Sequence, residues 1–131
     1  MKALTAFEDL LGQTLMDVFV KKDEDEDEII FTLVGGDKYR LYHYQDCCEG
    51  VYIEDICGDL KDLVGSPIVL AEEVSCSDET PEGLPPPGKY CDSFTWTFYK
   101  ISTVKGHVTI RWYGESNGYY SESVDFVRVD Q

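Results

Sequence analysis

Apolar and polar positions alternate with a period of two through the C-terminal third of the chain. Phe94, Trp96 and Phe98 are interleaved with Thr95, Thr97 and Tyr99, and Val108, Ile110 and Trp112 with Thr109, Arg111 and Tyr113. Aromatic and β-branched residues at that period predict strands with one buried face. Lys105-Gly106 and Asn117-Gly118 fall between the runs, and both dipeptides suit turns that need positive φ. The pattern predicts a three-stranded antiparallel meander over about 92–103, 107–115 and 119–129. Phe94, Trp96, Phe98, Val108, Ile110, Trp112, Val124 and Phe126 form its expected buried face. Each such side chain contributes ~1.5–3 kcal/mol on burial, which makes this block the expected core.

Upstream the pattern is more varied. LTAFEDLL, residues 4–11, predicts a short helix with Thr5 and Glu8 as a capping box and Gly12 as its stop. Thr14 to Val20 alternates, with Met16, Val18 and Val20 on one face and Leu15, Asp17 and Phe19 on the other. Glu28 to Val34 places Ile29, Phe31 and Leu33 on one side; Lys38 to Gln45 does the same with Tyr39, Leu41 and His43. These three strands make a second meander, turned at Gly35-Gly36. Between Ile53 and Val64 the period changes: Ile53, Ile56, Cys57, Leu60, Leu63 and Val64 recur at helical spacing with acids between them. That predicts an amphipathic helix over about 53–64, ended by Gly65 and Pro67. Ile68 to Val74 predicts one more strand, and residues 77–89, with four of the five prolines, a surface loop. The expected fold is α+β in a single domain, 1–131. It has two antiparallel meanders, about six to seven strands in a twisted sheet or partial barrel, and one or two short helices.

Composition changes the picture mainly through charge. At 131 residues, 43% hydrophobic and 13% aromatic, the chain can bury a core and is not wholesale disordered. No apolar run approaches the ~20 residues of a membrane span. Glu8 and Asp9 stand where a secretory signal would be apolar, so the expected location is the cytoplasm. There Cys47, Cys48, Cys57, Cys76 and Cys91 are expected to be reduced. The net charge is −15, and residues 1–89 hold 21 acids against 7 bases, while the C-terminal meander is neutral. Such a chain repels nucleic acid and anionic membranes and favours basic surfaces.

Two sets of carboxylates carry that bias. Asp23, Glu24, Asp25, Glu26, Asp27 and Glu28 form an unbroken run at an expected hairpin tip, 21–28. In extended chain they lie ~3.3 Å apart on alternating sides, close to the ~3.4 Å per charge of a DNA strand. A solvated hairpin tip accounts for the same run. The DxDxD spacing does not make a calcium loop, because Glu28 and Val34 stand where an EF-hand needs Gly and Glu. Glu54, Asp55, Asp59 and Asp62 line the predicted helix. Tyr113, Tyr119 and Tyr120, among nine tyrosines, are candidate interface anchors. The densest reactive cluster is His43, Asp46, Cys47, Cys48 and Glu49. Its spacing fits no paired-ligand zinc pattern, and a Cys–His nucleophile would depend on proximity in space alone. No phosphate-loop, dinucleotide, nucleophile-elbow or HExxH motif is present. No catalytic residue, metal or cofactor is assigned.

YRLYHYQDCCEGVYIEDICGDL and TWTFYKISTVKGHVTIRWYGESNGYYSESVDF resemble a small domain family of unknown function found mainly in bacteriophage genomes and prophages. The resemblance spans most of residues 10–129 and departs in the loop 77–89. It implies a phage origin and a soluble single domain, and transfers no catalytic residues. Small acidic phage proteins without catalytic motifs are often inhibitors of bacterial defence. The expected function is therefore a phage-encoded acidic binding protein. It would occupy the basic, nucleic-acid-binding surface of a host defence protein, in the manner of anti-CRISPR or anti-restriction proteins. Two other readings stay open. One is an oligomeric sponge for a small nucleotide signal, using the tyrosines and Arg40 or Arg111. The other is a thiol- or metal-dependent enzyme at His43, Cys47 and Cys48.

Overall fold

A computed structural model describes residues 4–22, 26–44, 49–78, 80, 83–84, 93–117 and 121–129. Eight strands run in the order β1 (Leu15–Lys22), β2 (Asp27–Leu33), β3 (Lys38–Tyr42), β4 (Gly50–Cys57), β5 (Leu70–Ser77), β6 (Ser93–Thr103), β7 (Gly106–Ser116) and β8 (Asp125–Arg128). Two 3₁₀ turns, Phe7–Leu10 and Leu60–Leu63, complete the described elements. The strands form two antiparallel four-stranded sheets, ordered β1-β2-β3-β8 and β4-β7-β6-β5. The fold is thus mainly β rather than α+β, and each sheet keeps two edge strands instead of closing into a barrel.

The predicted first meander is present. Val18↔Phe31 and Phe31↔Tyr39 pair across it, and Ile29, Phe31, Leu33, Tyr39 and Leu41 are buried. One face of β1 differs from the expectation. A bulge between Leu15 and Asp17 resets the alternation, so Leu15 is fully buried and Met16 is exposed.

The predicted helix over 53–64 is instead β4 followed by the second 3₁₀ turn. Here too a bulge is the cause. It falls between Ile53 and Asp55, so residues three apart, Ile53 and Ile56, both pack toward the core. Helical spacing and a bulged strand look alike over that distance. The N-terminal helix is likewise one 3₁₀ turn. Its leading N–H groups, of Thr5 and Ala6, donate to the Asp9 carboxylate at 3.0 Å each, so Asp9 does the capping expected of Thr5 and Glu8.

The C-terminal meander is corrected in two respects. β6 and β7 pair over their full length, from Ser93↔Ser116 to Thr103↔Gly106. β8, however, leaves that sheet and pairs with β3, through Leu41↔Phe126 and Arg40↔Val127. The buried face of β6 is also the opposite one to that expected. Tyr99 and Ile101 lie beside Ile110 and Val108 in the core, whereas Phe94, Trp96 and Phe98 share the outer face with Glu115, Tyr113 and Arg111. Trp96 is buried there, its ring centroid 4.6 Å from that of Tyr113.

The inner faces of both sheets and both 3₁₀ turns share one core, with Phe7 at its centre. The Phe7 ring packs edge-on to Tyr99 at 4.8 Å, Phe126 at 5.9 Å and Phe31 at 6.2 Å. No described helix is long and apolar enough to cross a membrane.

Candidate functional site

The carboxylates singled out in the sequence are largely taken up by the protein itself. Arg40 on β3 faces Glu28 on the neighbouring strand, and its guanidinium meets Glu28 at 2.6 Å and Glu26 at 3.3 Å. It also lies over the Tyr42 ring at 3.8 Å. Arg111 on β7 is gripped by Glu54, with Asp55 at 3.5 Å. Hydrogen bonding to Glu54 raises the Arg111 pKa. The two cations offered for a nucleotide phosphate are therefore already paired. Asp27 is corrected outright: it is 5% exposed and accepts the Ile53 N–H at 2.9 Å. Lys22 donates to the Ile53 carbonyl at 3.0 Å, so the β1–β2 hairpin seals the free edge of β4 at its bulge. Asp59 accepts the Lys61 N–H at 3.0 Å and starts the second 3₁₀ turn. The Asp62 carbonyl accepts from Thr103. Tyr113 is buried at 6% exposure under Trp96, Phe94 and Tyr52, so it anchors the sheet and presents no open surface. Asp23, Glu24, Asp25, Tyr119 and Tyr120 lie outside the described residues.

His43 is buried at the end of β3's run. Its Nδ1 lies 2.7 Å from the Ser123 carbonyl oxygen and its Nε2 2.9 Å from Glu49 Oε2. A carbonyl only accepts, so Nδ1 is the donor to Ser123. The pair ties the approach to β4 to the segment before β8. Asp46, Cys47, Cys48 and Cys91 lie outside the described residues. Cys57 is exposed, and its hydrogen bond to Asp55 pushes its pKa up, away from thiolate reactivity. Among the described residues no group of three or more His, Cys, Asp or Glu is placed to hold a metal ion.

A different site forms where the two sheets part. The inner face of β6 changes character along its length: Tyr99 and Ile101 pack in the core, but Thr97, Thr95 and Ser93 lead away from it. β5 extends the polar surface with Glu73, Ser75 and Ser77, and residues 121–124 lie across from it. The open cleft measures about 340 Å³, at the small end of ligand-sized cavities. Among the described residues its lining consists of hydroxyls and two carboxylates, with Val124 as the apolar member and no cationic side chain.

Its carboxylates are held by hydroxyls rather than by cations. Glu122 accepts from Thr95 at 2.8 Å and from Ser116 at 2.5 Å. Gly114 gives it room, since a Cβ there would lie 3.0 Å from both the Glu122 Cβ and its carbonyl oxygen. Tyr99 donates to Glu73 at 2.6 Å. Burial, then that hydrogen bond and the charges of Glu73, Asp125 and Glu8, raises the Tyr99 pKa well beyond the ordinary phenol range. Glu8 in turn accepts the Glu73 N–H at 2.9 Å, covering the outer edge of β5. Among the described residues, no Lys or Arg forms an ion pair with Glu8, Glu73, Glu122 or Asp125.

Thr97 is 4% exposed, lines the cavity and makes no side-chain hydrogen bond among the described residues. Among the described residues the buried side-chain atoms left without a partner are the indole nitrogens of Trp96 and Trp112, so the Thr97 hydroxyl opens onto the cleft. The visible signal was the spacing of Ser75 and Ser77 and of Ser93, Thr95 and Thr97. It was masked by the aromatics interleaved with the second set.

These features define a two-sheet antiparallel domain with an acidic, hydroxyl-lined cleft at one end. The chain belongs to DUF7448, a domain of unknown function, whose family model matches residues 8–126. No curated protein and no solved structure matches it.

Proposed function

We propose that this chain is an acidic binding protein whose partner presents a basic surface. The observation behind this reading is the fate of the cations. Arg40, Arg111 and Arg128 pair with carboxylates, and Lys22 and Lys105 donate to the backbone carbonyls of Ile53 and Val64. Among the described residues the carboxylates around Tyr99 have no such partners, in a chain of net charge −15. An uncompensated field of that sign steers association with cationic surfaces and sets its salt dependence.

In its finer form the partner is a nucleic-acid-binding component of a bacterial defence system. The chain is then a phage-encoded inhibitor acting in the host cytoplasm, like anti-CRISPR or anti-restriction proteins. The resemblance to a family found in phages supports this, and so does chemistry: a groove built for phosphates also attracts carboxylates. The working surface would be the Glu8, Glu73, Glu122 and Asp125 group rather than the Arg-paired acids.

Affinity capture from bacterial lysate tests the reading, run at about 50 mM and about 500 mM salt. A nucleic-acid-binding protein should be retained at the lower salt, released at the higher, and displaced by added DNA. Retention that ignores both salt and DNA overturns the reading, as does capture unchanged by Glu8→Gln with Asp125→Asn.

A further inference from the structure

We propose that the cleft between β5, β6 and residues 121–124 receives an alkylammonium or guanidinium group. Its bearer would be a Lys or Arg side chain of a partner polypeptide. The choice of bearer rests on the reading above; the choice of chemical group rests on the cleft alone.

Three observations carry it. First, the lining supplies acceptors in excess. A carboxylate has about four acceptor sites; Glu122 uses two of its sites on Thr95 and Ser116, and Glu73 one on Tyr99. The remaining lone pairs, with the hydroxyls of Ser75 and Thr97, line a space to which the described residues bring no cationic side chain. A multiple donor of positive charge complements that set, whereas an anion would meet two carboxylates. Second, the Thr97 hydroxyl stands at the cleft wall and makes no side-chain hydrogen bond among the described residues, so it is available to a guest. Third, the carboxylates are prepositioned. Glu122 is fixed over Gly114 by two hydroxyls, and Glu73 is held by the buried Tyr99. Little side-chain freedom is then lost when a guest arrives.

The test is amide chemical-shift mapping of the full chain titrated with N-acetyl-lysine amide and N-acetyl-arginine amide, with glucose as a neutral control. The proposal expects saturable shifts at Thr95, Thr97 and Ser121–Val124 with the two cations and none with glucose. Thr97→Val should weaken binding about fivefold to tenfold, the loss of one hydrogen bond. Glu73→Gln should weaken it by a similar factor. Shifts that spread over every acidic residue without saturating overturn the proposal, as does a Thr97→Val protein that binds like wild type. Putrescine and a short Lys/Arg-rich peptide separate the sources. Tighter binding of the peptide supports a side chain as the guest, and tighter binding of putrescine overturns that assignment.

Failure here is distinguishable from failure of the broader reading. If the affinity of salt-sensitive capture is unchanged in both Thr97→Val and Glu73→Gln, the cleft is not the contact and the acidic binding protein stands. If the amides bind but no nucleic-acid-binding protein is captured, the cleft stands and the broader reading falls.

Discussion

The carboxylates beside Arg40 and Arg111 and those beside Tyr99 bear the same charge in opposite surroundings. The first set lies on the outward faces of the two sheets, where each arginine spans two acids on its own or an adjoining strand. The second set gathers where the inner faces open, and there the donors among the described residues are hydroxyls and one backbone N–H. The first set serves the fold, since its field is cancelled at short range. The second leaves a field that extends into solvent. A surplus of acids in a sequence does not locate that field; the placement of the few cations does.

Asp27 gives the largest expected effect, because it serves the fold as the first set does but from a buried position. Asp27→Ala leaves the Ile53 N–H without its acceptor and should cost about 3 kcal/mol. The check is a urea midpoint that falls with an unchanged slope. A loss under about 0.5 kcal/mol, the range of ordinary surface changes, would erase the distinction between the two sets.

Tyr99 sharpens the comparison next. Tyr99→Phe should cost about 1 kcal/mol at neutral pH through the lost bond to Glu73. It should also change the alkaline limb. In the unfolded chain the phenol releases its proton near its ordinary value of 10.0, while the folded protein retains it. Above that pH the folded state holds more protons, so stability falls as pH rises. Denaturation midpoints measured from pH 9 to pH 11 should decline less steeply in Tyr99→Phe.

Arg111→Gln should cost slightly under 1 kcal/mol, since its partners Glu54 and Asp55 are partly exposed, at 24% and 50%, and water screens the pair. The smallest effect has the opposite sign. Asp125→Asn should stabilise by about 0.3 kcal/mol by relieving repulsion around Tyr99, and the gain should vanish in about 0.5 M NaCl. A loss of stability instead would mean that Asp125 has a cationic partner.

The strands whose alternation runs uninterrupted were legible: β2, β3, β6 and β7 stand close to where the period-two pattern puts them. The misreadings trace to identifiable physics. Bulges at Leu15/Asp17 and Ile53/Asp55 turn residues three apart to the same side, which inverted one face of β1 and made β4 look helical. Asn117-Gly118 signals a turn but not which sheet the next strand joins, so the β3–β8 pairing was beyond a local reading. In β6 both faces carry aromatics, and Phe94, Trp96 and Phe98 outvoted Tyr99. The cleft was illegible because its members come from three separate segments and none has a distinctive motif.

The pairing of β8 with β3 also constrains how the chain reaches its native state. During synthesis β3 emerges long before the strand that covers it, and the flank formed by Tyr39, Arg40 and Leu41 must wait uncovered. The local hairpins β1–β2 and β6–β7 close early, while the long-range union of β3 with β8 carries the greatest loop-closure cost. The arrival of β8 also draws residues 121–124 into place, so the cleft is completed only when the two sheets are stitched together.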